Sequence, residues 1–392
     1  MPAPRRIALF VYSTKPRGGV IHAIELATAL HQLGHIVCLY ALDKDGTGFQ
    51  RHLPCDHQRV PAQPVMGDTD RLIQQRIQEF VDYLSNGHLQ AHPYDIYHAQ
   101  DCISANALLT LRQRGLIPHF IRTVHHIDDF NSLYLQACQE RSILEPDLCL
   151  CVSEYWQKEL RTRYQIHAPQ VLNGVDSKRF SILADDLGTG LREQWGLKGS
   201  PIYLTVGGIE PRKNSIRLLQ AFAQVLKIHP QAQLVIAGGA TLFDYQTYRD
   251  DFFVWVKQLG IEVGRSLLLP GVIADDAMPA LYRCANAFVF PSLKEGWGLV
   301  VLEAIASGLP VLTSNAPPFT EFLNPQQALL IDAENTDAIA QAMLKIIQPE
   351  IAQTLVQHSR SICQTYTWEN SANLHLEQYL AVIARCVDHN QD

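Results

Sequence analysis

The feature that most constrains this chain is a rhythm. A short apolar run is followed by a loop with glycine or proline, then by a stretch with helical apolar spacing, and then by another apolar run. Arg6–Tyr12 opens the series, and every residue from Ile7 onward in it is apolar. A strand without polar alternation is one covered on both faces. Ser13–Gly19 reads as a loop. Val20–Leu33 carries Ile21, Ile24, Leu26, Leu30 and Leu33 at helical spacing, with Gly34 as its stop. Ile36–Leu42 is the next strand, and further strands are predicted at Asp95–His98, Phe120–Val124 and Leu148–Val152. Alternation of this kind predicts a doubly wound parallel sheet.

Near Asn173-Gly174-Val175-Asp176 the rhythm pauses, and the polar stretch Leu183–Gly190 reads as a linker. A second series then begins. It has strands at Ile202–Val206, Leu234–Ala237, Leu267–Leu269, Ala287–Phe290 and Val311–Thr313, and helices at Ser215–Leu226, Ala277–Cys284 and Leu299–Ser307. Trp368–Ala384 reads as one long amphipathic helix. The length of 392 residues suits two such domains. The predicted division is 1–180, 181–367 and a terminal segment 368–392. In open parallel sheets, ligands bind beyond the carboxyl ends of the strands, so the loops there are where chemistry is expected.

Composition removes several functions. A net charge of −7 gives no bulk attraction to nucleic acid or anionic lipid. No apolar run approaches the roughly 18 residues of a membrane span. The first apolar run is followed at once by Lys15 and Arg17, which reads as a strand rather than a signal peptide. The nine cysteines are scattered and form no C-x-x-C, so reduced thiols in a cytoplasmic protein are expected rather than disulfides or zinc.

Three loops carry candidate chemistry. Gly18-Gly19 follows the first strand and opens a helix, where backbone N–H groups can meet an anion; a plain turn is an equally good reading of this pair alone. Gly207-Gly208-Ile209-Glu210-Pro211-Arg212-Lys213-Asn214 follows the first strand of the second series. Its adjacent Arg212 and Lys213 suit a diphosphate, one as a planar fork and the other as a point charge. The most specific stretch is Pro291–Pro310. There Glu295 sits straight after a strand, Gly296 and Gly298 open a turn, and Glu303 lies inside the apolar run Leu-Val-Val-Leu-Glu-Ala-Ile-Ala. A carboxylate in such a run needs hydrogen-bond donors, and a ribose diol would supply two. His125-His126 ends another predicted strand, where an imidazole can orient a hydroxyl or move a proton. Asp43-Lys44-Asp45 has the D-x-D form of some metal-dependent transferases, but it lies far in sequence from the cation loop.

The E-x7-E spacing of Glu295 and Glu303 resembles the retaining glycosyltransferases of family 4. Gly18-Gly19 with His22, Gly34-His35, Asn173-Gly174-Val175-Asp176, Leu269-Pro270-Gly271-Val272, Leu281-Tyr282 and Phe290-Pro291-Ser292 match that family in order and spacing over nearly the whole chain. The resemblance implies a GT-B fold, with two Rossmann-like domains facing a central cleft. It implies that the N-terminal domain binds an acceptor, the C-terminal domain binds a nucleotide-diphosphate sugar, and the last helix crosses back onto the N-terminal domain. By resemblance, Glu303 grips the donor ribose and Glu295 contacts the transferred sugar. Gly298, Leu299 and Val300 hold sugar and phosphates through their amides, Arg212 and Lys213 neutralise the leaving diphosphate, Gly19 approaches it, Val272 meets the base, and His125 contacts the sugar. The family often has an arginine where this chain has Gly208, so Arg212 is expected to supply that charge.

The expected activity is transfer of a hexosyl group from a UDP- or GDP-sugar to a sugar, lipid or metabolite hydroxyl, with retention, no cofactor and no required metal. Peripheral membrane contact is compatible with this, and nucleic acid is not an expected partner. Three alternatives stand beside it: a non-catalytic sugar-nucleotide-binding module, against which the presence of Glu295, Glu303, Lys213 and His125 argues, and two enzymes. One is a nucleotide-sugar epimerase or hydrolase on the same fold. The other is a nicotinamide oxidoreductase, which calls for a G-x-G-x-x-G that neither series contains.

Overall fold

A computed structural model describes residues 3–89, 93–183, 188–239 and 245–388. The chain forms two compact units: Met1–Asn173 together with Trp368–Asp392, and Gly174–Thr367.

The first unit is built on six parallel strands: β1 (Arg6–Val11), β2 (Ile36–Asp43), β3 (Asp56–Pro61), β4 (Ile96–Ala99), β5 (Ile121–Val124) and β6 (Leu148–Cys151). Their order is β3-β2-β1-β4-β5-β6. Ile7 pairs with Val37 on one side and Ile96 on the other. The residues Ile7–Phe10 are wholly buried, as a strand between two helical layers must be. Helix starts are capped in the loops. Asp101 accepts from the Ser104 amide at 2.8 Å, and Ser153 accepts from the Trp156 amide at 3.2 Å.

The second unit repeats the plan with β7 (Ile202–Val206), β8 (Gln233–Ala237), β9 (Leu267–Gly271), β10 (Ala287–Phe290), β11 (Val311–Ser314) and β12 (Leu329–Ile331), in the order β12-β11-β10-β7-β8-β9. Its core gathers Tyr203, Phe222, Leu234, Phe252, Ile339 and Met343. In both sheets the order of strands reverses between the first and fourth strands of the unit. That puts the loops after β1 and β4, and those after β7 and β10, at the two switch points where such sheets hold ligands.

The helix Trp368–Asp388 belongs to the first unit and packs on the helix Gly18–Gln32. The change of unit falls after Asn173, upstream of the predicted position near residue 180. The reason is local: the Val175 amide bonds the Tyr366 carbonyl at 3.0 Å, and Phe180 packs edge-on to Tyr282 with centroids 5.7 Å apart. The predicted linker Leu183–Gly190 lies partly outside the described residues. Strands β3 and β12 were not anticipated. β3 is an edge strand in which only Val60 is buried, and β12 is three half-buried residues, so neither carries the apolar run of a central strand. Eight cysteines are free thiols among the described residues. No described helix is long and apolar enough to cross a membrane.

Candidate active site

The loops after β7 and β10 meet because their strands are neighbours in the sheet. The meeting is stitched by backbone. The Arg212 carbonyl accepts the Leu293 amide at 2.8 Å, and the Ser292 hydroxyl oxygen lies 2.8 Å from the same carbonyl. Pro211–Lys213 forms a single 3-10 turn that ends on Asn214 in the left-handed conformation. Asparagine tolerates that conformation. Its amide here is fixed by the carbonyls of Pro291 and Ala333 at 3.1 and 2.6 Å.

These constraints bring two cations onto one acid. Lys213 Nζ lies 2.6 Å from Glu295 Oε1, Arg212 Nη1 lies 3.3 Å from the same oxygen, and the Ser292 hydroxyl donates to it at 2.6 Å. Arg212 is also held through Nε by buried Glu210 at 2.9 Å, and the Lys213 ammonium sits 4.5 Å above the Phe290 ring. Burial works to raise the Glu295 carboxyl. The charges of Lys213 and Arg212 and the two hydrogen bonds outweigh it, so the group is held below the usual carboxylate range. Burial draws Lys213 below its ordinary value, against the pull of Glu295. The result is a partly desolvated cluster with two positive charges, a fixed carboxylate and an open side at Arg212, whose side chain is 35% exposed.

Beside the cluster begins the helix Leu299–Ala306. Its N-cap is Gly298, at φ 104°, and a Cβ there would come within 2.7 Å of Phe319. Trp297 is buried and stacked on Phe322 at 4.8 Å, which fixes the entry of the chain into the helix. The Val301 amide bonds the Gly298 carbonyl at 2.9 Å, and the amides before it lie at the positive end of the helix dipole. Glu303 lies on the same helix, half-buried, with Oε2 accepting the Tyr282 hydroxyl at 2.7 Å. Val272, just beyond β9, is 60% exposed.

In the first unit, His125 stands at the carboxyl end of β5. Its Nε2 meets Gln100 Oε1 at 3.1 Å, its ring packs edge-on to His22 with centroids 4.7 Å apart, and a Cβ added at Gly19 would lie 3.5 Å from its ring. His22 is fixed in turn by Asn173 at 2.6 Å. Behind them, His98 bonds Thr123 at 2.8 Å and the Tyr379 hydroxyl at 2.7 Å, and His375 bonds the Ser371 carbonyl at 2.8 Å. Burial pushes all four imidazoles down, His22 to about 4, His375 to about 3, and His98 and His125 well below the ordinary value. His125 is therefore neutral near pH 7, a state in which it can orient or accept from a hydroxyl.

Two family profiles match the chain one after the other. A glycosyltransferase family 4 profile covers residues 16–179, and a group 1 glycosyl transferase profile covers residues 189–361. The chain belongs to glycosyltransferase family 4. This glycosyltransferase is 27% identical to the O-antigen chain mannosyltransferase B of Escherichia coli over 254 residues, 63% of this chain and 64% of that protein. Among solved structures it resembles sucrose-phosphate synthase from Thermosynechococcus elongatus, with a TM-score of 0.79 and 24% identity over 97% of this chain and all of that one. It also resembles HepE from Anabaena in complex with UDP and glucose, with a TM-score of 0.77 and 18% identity over 96% of this chain and all of that one. Two parallel six-stranded sheets flanked by helices are the GT-B fold that these neighbours share.

Of the residues singled out from the sequence, the transferase brings Arg212, Lys213 and Glu295 into direct contact, and Gly298, Leu299, Val300 and Glu303 onto the adjoining helix. Gly18, Gly19 and His125 belong to the first unit. Gly208 has a plain reason to be glycine: a Cβ would lie 2.6 Å from the Gly239 carbonyl oxygen and 2.9 Å from Glu210 Oε1. No arginine fits that position without moving backbone. The carboxylates of Asp43-Lys44-Asp45 are spent on their own loop: Asp45 binds Lys15 at 2.7 Å and Thr47 at 2.8 Å, and Asp43 accepts the Gly48 amide at 3.1 Å. His126 pairs with Asp128 at 3.3 Å. Sequence reasoning did not assign the supporting groups Ser292, Glu210 and Tyr282. Ser292 and Tyr282 stand in recognisable stretches of the family, but their roles depend on which strands are neighbours.

Proposed function

We propose that this glycosyltransferase moves a hexosyl group from a UDP- or GDP-sugar to an acceptor hydroxyl with retention of configuration. The observation that carries the reading is the convergence of Lys213, Arg212 and Glu295 beside the amide-bearing start of the helix Leu299–Ala306. A diphosphate leaving an oxocarbenium-like sugar gains negative charge. Two fixed cations and a helix N-terminus stabilise that charge without reorganising. Glu303 accepts from the ribose, and the exposed backbone near Val272 meets the base. Glu295, held ionised, is an acceptor for the sugar's hydroxyls. Within the first unit, His125, neutral and fixed by Gln100, is suited to orient a sugar hydroxyl. The charge comes from side chains and amides, so this reading calls on no metal. Its similarity to a mannosyltransferase and to a protein complexed with UDP and glucose supports a nucleotide-sugar donor.

The test is incubation with a radiolabelled panel of UDP- and GDP-hexoses, with and without a pool of sugar, lipid and metabolite acceptors. The expected result is transfer of label to an acceptor in the same anomeric configuration. Epimerised donor or free sugar as the sole product, whatever acceptor is added, would replace transfer with the epimerase or hydrolase reading.

A further inference from the structure

The paired glycines after β7 each lie beneath a charged side chain. A Cβ on Gly207 would come within 3.1 Å of Lys213 Cε, and one on Gly208 within 2.9 Å of Glu210 Oε1. The space that a side chain would enter from position 208 is therefore filled by an acid. Glu210 is 3% exposed, and a carboxyl group buried to that degree is costly unless a donor meets it. The group that meets it is Arg212, whose Nε lies 2.9 Å from Glu210 Oε2. The backbone prepares this approach. Glu210 is extended, at φ −140° and ψ 148°, Pro211 opens the 3-10 turn, and the Lys213 amide closes it on the Glu210 carbonyl at 3.1 Å. Arg212 Nη1 then lies 3.3 Å from Glu295 Oε1, so two buried acids meet the guanidinium at two of its nitrogens.

We infer that Glu210 is a positioning residue for the leaving group: it holds Arg212 at Nε, and so orients the guanidinium toward the diphosphate from the turn next to Gly208. A guanidinium is a planar fork, and its use against a phosphate depends on how that plane is set. A charge fixed in advance acts on a developing anion without reorganising. Gly208 and Glu210 work as a pair: the glycine leaves the room, and the acid occupies it. Glu210 acts through Arg212 and not on the sugar or phosphates. Arg212 keeps Glu295 and its other contacts when Glu210 is replaced, so the expected loss is partial. The inference rests on the diphosphate role proposed for Arg212 and Lys213.

The experiment measures dissociation constants of UDP against UMP, and of GDP against GMP, by calorimetry. The proteins are the wild-type chain, Glu210→Gln, Glu210→Ala, Arg212→Ala and Glu210→Ala/Arg212→Ala. The preference for diphosphate over monophosphate isolates the terminal phosphate. It is expected to fall about fivefold in Glu210→Ala, the size of one ordinary net hydrogen bond. Arg212→Ala should lower it about tenfold, and the double variant no further. If Glu210 only braces the turn, both nucleotides weaken together and the preference stays at the wild-type value, which would overturn the inference. A preference that rises in Glu210→Ala, or losses that add in the double variant, would overturn it too, because the acid would then act without Arg212. A wild type that binds monophosphate and diphosphate equally withdraws the role of Arg212 and Lys213, and this inference with it. Should Glu210→Ala not fold, Glu210→Gln keeps the shape of the side chain; its preference should fall about twofold, and an unchanged one would contradict the inference.

Discussion

Lys213 has two duties that a double substitution can separate. Its ammonium lies 2.6 Å from Glu295 Oε1. At an effective dielectric near 20 that is an attraction of about 6 kcal/mol, much of it offset by desolvating both ions. Removing the lysine alone strands a buried carboxylate, with Arg212 at 3.3 Å and Ser292 at 2.6 Å as partial compensation. Lys213→Ala is therefore expected to destabilise the second unit by about 3 kcal/mol, at the low end for breaking a buried pair. Calorimetry should show a melting temperature roughly 6–12 °C lower. Glycosyl transfer should slow about 10²- to 10³-fold, as when one preorganised donor to a developing anion is lost. Lys213→Ala/Glu295→Gln removes the stranded charge, so it should regain most of the stability and none of the rate. Recovery of activity along with stability in the double variant would refute a direct role of Lys213 toward the diphosphate. An undiminished melting temperature in the single variant would refute the energetic account of the pair.

Three other outcomes follow from the same geometry. Glu303→Ala should weaken UDP or GDP binding by about 10- to 100-fold in calorimetry with the melting temperature little changed, since the acid is half-buried on a short helix; equal affinity would remove it from the site. Gly208→Arg, which restores the arginine common in the family, should destabilise by about 1–3 kcal/mol in urea unfolding and raise neither affinity nor rate, because its Cβ falls 2.6 Å from the Gly239 carbonyl oxygen. The buried histidines make stability depend on pH. His22 titrates near 4 when folded and at 6.5 when unfolded, so the unfolded chain binds more protons between those values. Stability should be full above pH 6.5 and fall by about 3 kcal/mol on its account by pH 4, with His375 adding to the loss. Urea unfolding followed by the fluorescence of Trp368, 5.4 Å from the His22 ring, reports it; a flat profile from pH 7 to 4 would contradict the assignment.

The central strands were legible in the sequence because they are buried on both faces. Ile7–Val11 and Ala287–Phe290 have no polar residue to confuse the reading. β3 was not legible, since Asp56-His57-Gln58-Arg59 faces solvent at a sheet edge and resembles a loop. The site was legible where residue type departs from its surroundings, as with Glu303 in an apolar helix or Arg212-Lys213 in a turn. What the order of residues did not carry was the pairing of β7 with β10, which puts Lys213 on Glu295 across some eighty residues. Tyr282 was hidden for the opposite reason: its ring satisfies the apolar pattern of its helix, and only the position of its oxygen reveals a polar task. Gly208 taught a related lesson, since a missing arginine reads as a lost charge until the Gly239 carbonyl shows that there is no room for one.

The most direct measurement is a crystal structure of the full chain soaked with UDP- and GDP-hexoses. The account predicts the diphosphate against Arg212, Lys213 and the amides of Gly298–Val300, with the ribose on Glu303 and the sugar at Glu295. A nucleotide sugar bound elsewhere, with Glu295 and Glu303 making no contact to it, would contradict it.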